Sequence, residues 1–118
     1  MSYIEVAPDV KLHVLDWGTG HPIVLAHGWP LSHEMFEYQT TELPKRGFRC
    51  VAFDRRGFGK SSKPWDGYDY DTLADDLHHL LERLDLRDVT LLGFSMGGGE
   101  AIRYLSKYGS DRVANLIL

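Results

Sequence analysis

The chain has 118 residues, 43% of them hydrophobic, and a formal net charge of −4. This acidic balance argues against a nucleic-acid-binding protein, which needs a basic surface to neutralise phosphates. No apolar run approaches the roughly 20 residues that cross a bilayer, so the sequence predicts no membrane partner. A single cysteine excludes an internal disulfide, and residues 1–5 lack the features of a signal peptide. We therefore expect a soluble, cytoplasmic globular chain.

Predicted strands and helices alternate along the sequence. Apolar alternation and short apolar runs predict strands at residues 3–6, 11–17, 23–26, 48–53, 89–92 and 113–118. A first helix is predicted after Ser32 as its N-cap, ending near Pro44 and Gly47. A second carries an apolar stripe and has Asp71 or Thr72 as its cap, and a third covers residues 96–108. This alternation indicates an α/β fold with a parallel sheet and right-handed crossovers.

The sequence Gly93-Phe94-Ser95-Met96-Gly97 lies between the fifth predicted strand and the last helix. In a sharp strand-to-helix turn, the central serine adopts a strained backbone conformation that lifts its hydroxyl above the sheet. Because the residues two before and two after it pass close together, both must be glycine. The N-terminus of the following helix favours an anionic intermediate beside the serine. We predict Ser95 as a nucleophile; the alternative is a glycine-rich helix start with an incidental serine.

A second motif, His27-Gly28-Trp29-Pro30, follows an earlier buried strand. Enzymes with such a serine turn place a loop there that supplies a second backbone donor to the oxyanion. Since Pro30 has no N–H, the candidate donors are the backbone N–H groups of Trp29 and of Met96, the residue after the serine.

These motifs resemble the N-terminal half of an α/β-hydrolase, most of all the cofactor-free haloperoxidase, perhydrolase and aryl-esterase branch. The segments that carry the resemblance are residues 27–31, 53–62, 67–71 and 93–100. It implies a three-layer, mostly parallel sheet truncated after about the sixth strand, with residues 1–118 forming the N-terminal part of one domain. It also implies hydrolysis of small carboxylic esters through an acyl-enzyme, peracid formation from acetate and hydrogen peroxide, and no metal or prosthetic group. In that family the residues matching Ser95, Trp29 and Met96 are the nucleophile and the two backbone donors.

The acid and base of a serine triad are missing from this predicted site. In the α/β-hydrolase fold they follow the serine in the order Asp or Glu, then His. Glu100 and Asp111 follow Ser95, but no histidine does. Without a positioned base, a serine hydroxyl is a poor nucleophile. His27 is the nearest alternative base, but its simplest interpretation is a residue that packs the loop.

A rival interpretation is therefore a non-catalytic half-domain. Such a chain would assemble with a second copy of itself or with a complementary C-terminal half. Residues 113–118 form an apolar edge strand without proline or lysine, and such edges pair with other chains. We expect the 118-residue chain not to be a stable monomer.

Other charged motifs favour structural roles. Residues 57–61 resemble the end of a phosphate-binding loop, but Asp54 stands where that motif requires glycine, and its carboxylate repels phosphates. We instead predict that Asp54, Arg55 and Arg56 form ion pairs and turn contacts. The remaining histidines lack metal-ligand spacing and predict no metal site: His13, His21 and His33 are scattered, whereas His78 and His79 lie on the solvated side of a helix.

Cys50 alternates within a predicted strand and is most simply a small buried hydrophobe. The aromatic residues Trp65, Tyr68 and Tyr70 either line a substrate entrance or pack the loop that contains them, and the sequence favours neither.

Overall fold

The computed structural model describes residues 2–118. Its strands are β1 (Ser2–Ala7), β2 (Val10–Trp17), β3 (His21–Ala26), β4 (Phe48–Phe53), β5 (Val89–Gly93) and β6 (Val113–Ile117). Its α-helices are α1 (Glu37–Glu42), α2 (Tyr70–Arg83) and α3 (Met96–Tyr108). All of the predicted strands are present, and α3 has its predicted bounds.

The strands form one mixed sheet. Within residues 2–118 the sheet has six strands in the order β1-β2-β4-β3-β5-β6. β1 pairs antiparallel with β2, and β2 with β4, whereas the β4–β3, β3–β5 and β5–β6 pairs are parallel. The prediction of a mostly parallel α/β sheet is confirmed. Cys50 is fully buried within β4, as expected for a small apolar residue.

Helices cover both faces of this sheet and create the three predicted layers. On one face, α2 and α3 bury a large apolar cluster against the strands, with Leu77 and Leu80 from α2 and Ala101 from α3. On the other face, the segment around α1 covers a smaller cluster of Leu25, Phe36 and Ala52. The central strands β3, β4 and β5 therefore lie between two apolar layers, which explains their short, unbroken hydrophobic runs.

Helix α2 has the predicted apolar stripe but a different start. Leu73 and Leu77 are buried, at the spacing that turns one helix face towards the sheet. The N-cap is Asp69, whose carboxylate accepts a hydrogen bond from Thr72 N at 3.0 Å. The prediction of Asp71 or Thr72 as the cap was wrong, because both of those residues already lie inside the helix.

The first predicted helix is broken into three short segments. The 3-10 helices His33–Phe36 and Leu43–Arg46 flank α1, and Ser32 caps the first as predicted. The hydroxyls of Thr40 and Thr41 donate hydrogen bonds to the carbonyl of Glu37, at 3.3 and 2.7 Å. Such side-chain bonds compete with regular helix hydrogen bonding, and Pro44 cannot donate one. A single continuous helix is therefore disfavoured here.

The two sheet edges are β1 and β6. The apolar side chains of Leu116, Ile117 and Leu118 at and beyond the end of β6 are exposed. Among residues 2–118, no helix combines the length and hydrophobicity that a bilayer crossing requires.

Candidate active site

Ser95 lies in the turn between β5 and α3, at the N-cap position of α3. Its backbone angles are φ 56° and ψ −114°, a combination that is strained for a residue with a Cβ. Its hydroxyl does not cap the helix. The strained serine conformation predicted from the sequence is therefore confirmed.

The glycines on either side of Ser95 are required by close backbone contacts. A Cβ on Gly93 would lie closer than 3.0 Å to the carbonyl group of Gly97. A Cβ on Gly97 would approach the carbonyl oxygen of Ala26, in the neighbouring strand β3, equally closely. These are rigid backbone atoms, so no side chain fits at either position.

The sheet brings the second motif next to this turn. β3 and β5 are parallel neighbours, with Ala26 opposite Gly93, so the segments that follow both strands leave the same edge of the sheet. Phe94 N donates to the Ala26 carbonyl at 3.0 Å, and a Cβ on Gly28 would lie 2.9 Å from the Phe94 ring. The segment 27–30 therefore packs directly against the serine turn.

Two backbone donors beside Ser95 have no acceptor. At the start of α3, Gly97 N and Gly98 N donate to the carbonyls of Phe94 and Ser95, each at 2.9 Å. Among residues 2–118, neither Met96 N nor Trp29 N makes a backbone hydrogen bond outside regular helices and strands. Both N–H groups therefore lack a backbone acceptor of that kind. The Trp29 side chain is exposed.

A buried network holds the segment that carries Trp29. Arg55 Nη2 donates to the His27 carbonyl at 2.5 Å, and Arg55 N donates to His27 Nε2 at 3.0 Å. Arg55 Nε in turn donates to Glu100 on α3 at 2.9 Å. His27, Arg55 and Glu100 are all inaccessible to solvent. The network joins three elements around the serine turn.

Sequence reasoning missed the role of Glu100. Burial raises the pKa of this carboxyl, although the Arg55 guanidinium opposes the shift. A usable signal was present, because Glu100 stands next to Ala101 and four residues before Tyr104, on the helix stripe that faces the sheet. A carboxylate on a buried helix face requires a cation, and Arg55 is that cation.

His27 has a structural role in this network. Besides accepting from Arg55 N, it donates from Nδ1 to the Gly28 carbonyl at 2.8 Å in the tautomer that satisfies both bonds. Burial, together with the nearby Arg55 guanidinium, lowers the pKa of His27 to about 4. The interpretation of His27 as a loop-packing residue is confirmed.

This shift predicts acid destabilisation. Because the folded pKa of about 4 lies below the ordinary 6.5, the unfolded chain binds more protons between these values. The contribution of His27 to the free energy of unfolding is at its full value above pH 6.5 and should fall as the pH drops towards 4. In urea unfolding, the difference between the parent and His27→Gln should narrow over this range. A difference that stayed constant from pH 7 to pH 4.5 would contradict this assignment.

The loop after β4 is fixed by ion pairs, as predicted. Arg56 donates to both carboxylate oxygens of Asp76, at 2.6 and 2.8 Å. Asp54 accepts from the backbone N–H groups of His33 and Lys60, at 2.8 and 3.0 Å. Although burial opposes it, these bonds hold the pKa of Asp54 below its usual value. A buried, ionised Asp54 is incompatible with phosphate binding in this loop.

All six histidines have partners other than Ser95. His13 and His33 contact Asp54, His21 contacts Thr90, His27 contacts Arg55, and His78 and His79 contact Glu82. The prediction that His78 is solvated was wrong, because its ring stacks on Tyr108 of α3 with centroids 3.9 Å apart. His13 and His33 are not scattered either, since both meet at one carboxylate.

The aromatic residues of the loop differ in how they pack. Tyr68 donates from its hydroxyl to the Pro64 carbonyl at 2.7 Å, and its ring lies against Gly57. Tyr70 lies against Gly99, on the first turn of α3. Trp65, in contrast, is fully exposed and packs on nothing. Tyr68 therefore packs the loop, whereas Trp65 does not.

Comparison with known proteins agrees with this fold. Residues 21–118 match the family described as the alpha/beta hydrolase fold. The chain is 50% identical over 118 residues to the non-heme chloroperoxidase CPO-A1 of Kitasatospora aureofaciens, covering all of this chain and 43% of that protein. The chain belongs to the alpha/beta hydrolase family.

Two solved structures are also similar. An esterase (EaEST) from Exiguobacterium antarcticum superposes with a TM-score of 0.95 at 46% identity, covering 98% of this chain and 43% of the other. A bromoperoxidase from Bacillus anthracis superposes with a TM-score of 0.94 at 52% identity, covering 98% of this chain and 42% of the other. The chain thus spans less than half the length of these relatives and corresponds to their N-terminal part.

Proposed function

We propose that this chain carries the nucleophile and oxyanion-binding half of a serine hydrolase acting on small carboxylic esters. The observation that carries the proposal is the strained turn at Ser95, against which the segment that contains Trp29 packs. The two donors that we propose are Trp29 N and Met96 N, which make no backbone hydrogen bond outside regular helices and strands in the described residues. Ser95 Oγ attacks the ester carbonyl carbon, and the oxyanion formed accepts hydrogen bonds from these donors. The N-terminus of α3 adds favourable electrostatic interaction. Loss of the alcohol leaves an acyl-enzyme.

Two nucleophiles resolve this acyl-enzyme in the proposed reaction. Water yields the carboxylic acid and regenerates Ser95, whereas hydrogen peroxide yields a peracid by the same route. Similarity to a chloroperoxidase, a bromoperoxidase and an esterase supports both outcomes at the family level. No step in this reaction requires a metal or a prosthetic group. The single buried cysteine, Cys50, suits the reducing cytoplasm that we propose as the location.

The proposed triad acid and base lie outside residues 1–118. All six histidines have other partners, and the relatives that this chain matches are more than twice as long. The base has to reach Ser95 Oγ to accept its proton and then give that proton to the departing alcohol, and the acid has to orient that base. The activity of the whole protein therefore depends on a segment that supplies both.

The first test identifies the nucleophile. A fluorophosphonate probe should label Ser95 of the assembled enzyme with one adduct per chain, located by peptide mass spectrometry. Ser95→Ala should remove both the adduct and ester turnover. Ser62→Ala is the matched control, because Ser62 lies in the loop after β4 and its hydroxyl accepts a hydrogen bond from Lys11 N of β2 at 2.9 Å. An adduct that persists in Ser95→Ala would overturn the proposal.

A second candidate function is the non-catalytic half-domain that self-associates or binds a complementary half. It is favoured by the exposed apolar side chains at the end of the edge strand β6, Leu116 and Ile117. We expect sedimentation of the 118-residue chain at low micromolar concentration to show dimers or larger species. Ile117→Lys should shift the chain towards monomer, whereas Tyr38→Lys, at an exposed site on α1, should not. A compact wild-type monomer with a cooperative melt would contradict this expectation.

A further inference from the structure

Three side chains that are distant in sequence meet on the sheet face covered by α1. His13 belongs to β2, His33 begins the 3-10 helix before α1, and Asp54 follows β4. His13 Nδ1 lies 3.3 Å from one Asp54 oxygen, and His33 Nδ1 lies 2.6 Å from the other. All three residues are buried. One nitrogen or oxygen from each lies within 4.8 Å of the other two.

The chemistry of these groups matches a transition-metal ligand set. Two imidazole nitrogens and one carboxylate are a common protein ligand set for Zn²⁺, with water completing the coordination. Zinc bonds of about 2.0–2.2 Å place tetrahedral ligand atoms roughly 3.3 Å apart. The separation of His13 Nδ1 from Asp54 is already of this size, and the shorter His33 contact lengthens when its hydrogen-bonding proton leaves.

Backbone groups hold the carboxylate in place. His33 N donates to Asp54 Oδ1 at 2.8 Å, and Lys60 N donates to Oδ2 at 3.0 Å. Each oxygen is therefore oriented independently of the two imidazoles. Outer hydrogen bonds of this kind position metal ligands and raise affinity.

The cluster is open to solvent through a cavity. A cavity of about 370 Å³ is lined by both histidines and by Trp17, with Glu34, Glu37 and Lys60 as its other charged residues. Counting Asp54 of the cluster with Glu34 and Glu37 of the cavity lining, the site has three carboxylates and one lysine. This balance attracts a cation, and the volume admits the water that completes its coordination sphere.

We propose that His13, His33 and Asp54 form a binding site for a divalent transition metal, best suited to Zn²⁺, separate from the serine turn. Each imidazole coordinates through Nδ1, so the Nδ1 proton that hydrogen-bonds Asp54 in the absence of metal moves through water to Nε2, and each neutral ring keeps one proton in total. Asp54 supplies its anionic oxygen, and water from the cavity completes the coordination. The ion joins β2, the helical segment before α1 and the loop after β4. Its effect is therefore on stability rather than on the ester chemistry.

The test measures Zn²⁺ binding to the chain by isothermal titration calorimetry in a buffer that does not chelate metals. The expected result is one site per chain and a rise in melting temperature of about 5 °C or more at saturating Zn²⁺. His33→Asn should weaken binding at least tenfold. Loss of a residue that only hydrogen-bonds a metal ligand already lowers metal affinity about 10–100-fold, and His33 is itself a proposed ligand. His79→Gln is the control, since the partly buried His78 and the exposed His79 and Glu82 also lie close together.

A second measurement does not depend on substituting a ligand. In Trp29→Phe/Trp65→Phe, Trp17 is the remaining tryptophan and lines the proposed cavity. Paramagnetic Co²⁺ should quench its fluorescence, and Zn²⁺ should compete with that quenching. Binding that survives His33→Asn unchanged, or that is lost in His79→Gln, would overturn the proposal. So would the absence of both heat and quenching at millimolar metal, which would leave the cluster as a hydrogen-bonded packing contact.

Discussion

The Arg55→Met substitution is expected to lower the free energy of unfolding by about 3–5 kcal/mol. Arg55 and Glu100 are both inaccessible to solvent and joined at 2.9 Å, so methionine leaves a buried carboxylate without its cation. The loss should be measured by urea unfolding at pH 7. It should shrink as the pH is lowered, because protonation of Glu100 removes the uncompensated charge. The same change releases the His27 carbonyl and with it the segment that holds Trp29.

Arg49→Met is the matched control for this substitution. Arg49 also donates to a carboxylate with good geometry, to Asp16 at 2.9 and 2.7 Å, but this pair is partly exposed. Partly exposed pairs contribute about 1 kcal/mol or less, so its loss should be small. Arg55→Met/Glu100→Met should recover most of the stability, because replacing both buried charges removes the unpaired one. Equal losses for Arg55→Met and Arg49→Met would contradict the central role of burial.

The Gly97→Ala substitution is expected to destabilise the chain by about 3–4 kcal/mol. The new Cβ would lie closer than 3.0 Å to the carbonyl oxygen of Ala26, a rigid backbone atom of β3. The contact can be relieved only if α3 and the Ser95 turn move away from β3. Thermal and urea unfolding should both report the loss, and labelling of Ser95 by a fluorophosphonate should become slower.

Gly98→Ala provides the control one residue further along the helix. A Cβ there meets its nearest neighbours at 3.5 Å, an ordinary van der Waals distance. Since alanine is a better helix former than glycine, this change should stabilise the chain by about 0.5–1 kcal/mol. If Gly97→Ala were as mild as Gly98→Ala, the close approach of α3 to β3 would not be a determinant of this turn.

Features encoded by neighbouring residues were predictable from the sequence. The strained turn at Ser95 follows from the glycines two residues before and after it, between an apolar strand and a helix. Strand β4 and helix α3 have their predicted bounds, because apolar patterning and Gly109 mark them locally. The order of strands and helices, and the two layers of helix that cover the sheet, also follow from such periodic patterns. These signals lie within one element or at its ends.

Other features depend on which elements become neighbours in space. The antiparallel pairing of β2 with β4 and the packing of the segment before α1 bring His13 and His33 to Asp54, across 41 and 21 residues of sequence. The contact of Glu100 with Arg55 joins residues 45 apart and decides how the segment carrying Trp29 is held. The predicted cap of α2 was also wrong. Asp69, Asp71 and Thr72 are all residues that can cap a helix, and the sequence does not show at which of them the backbone becomes helical. The physical reason is that a residue's side-chain chemistry is local, whereas its burial and its partner are set by strand pairing and helix packing, which no short stretch of sequence contains.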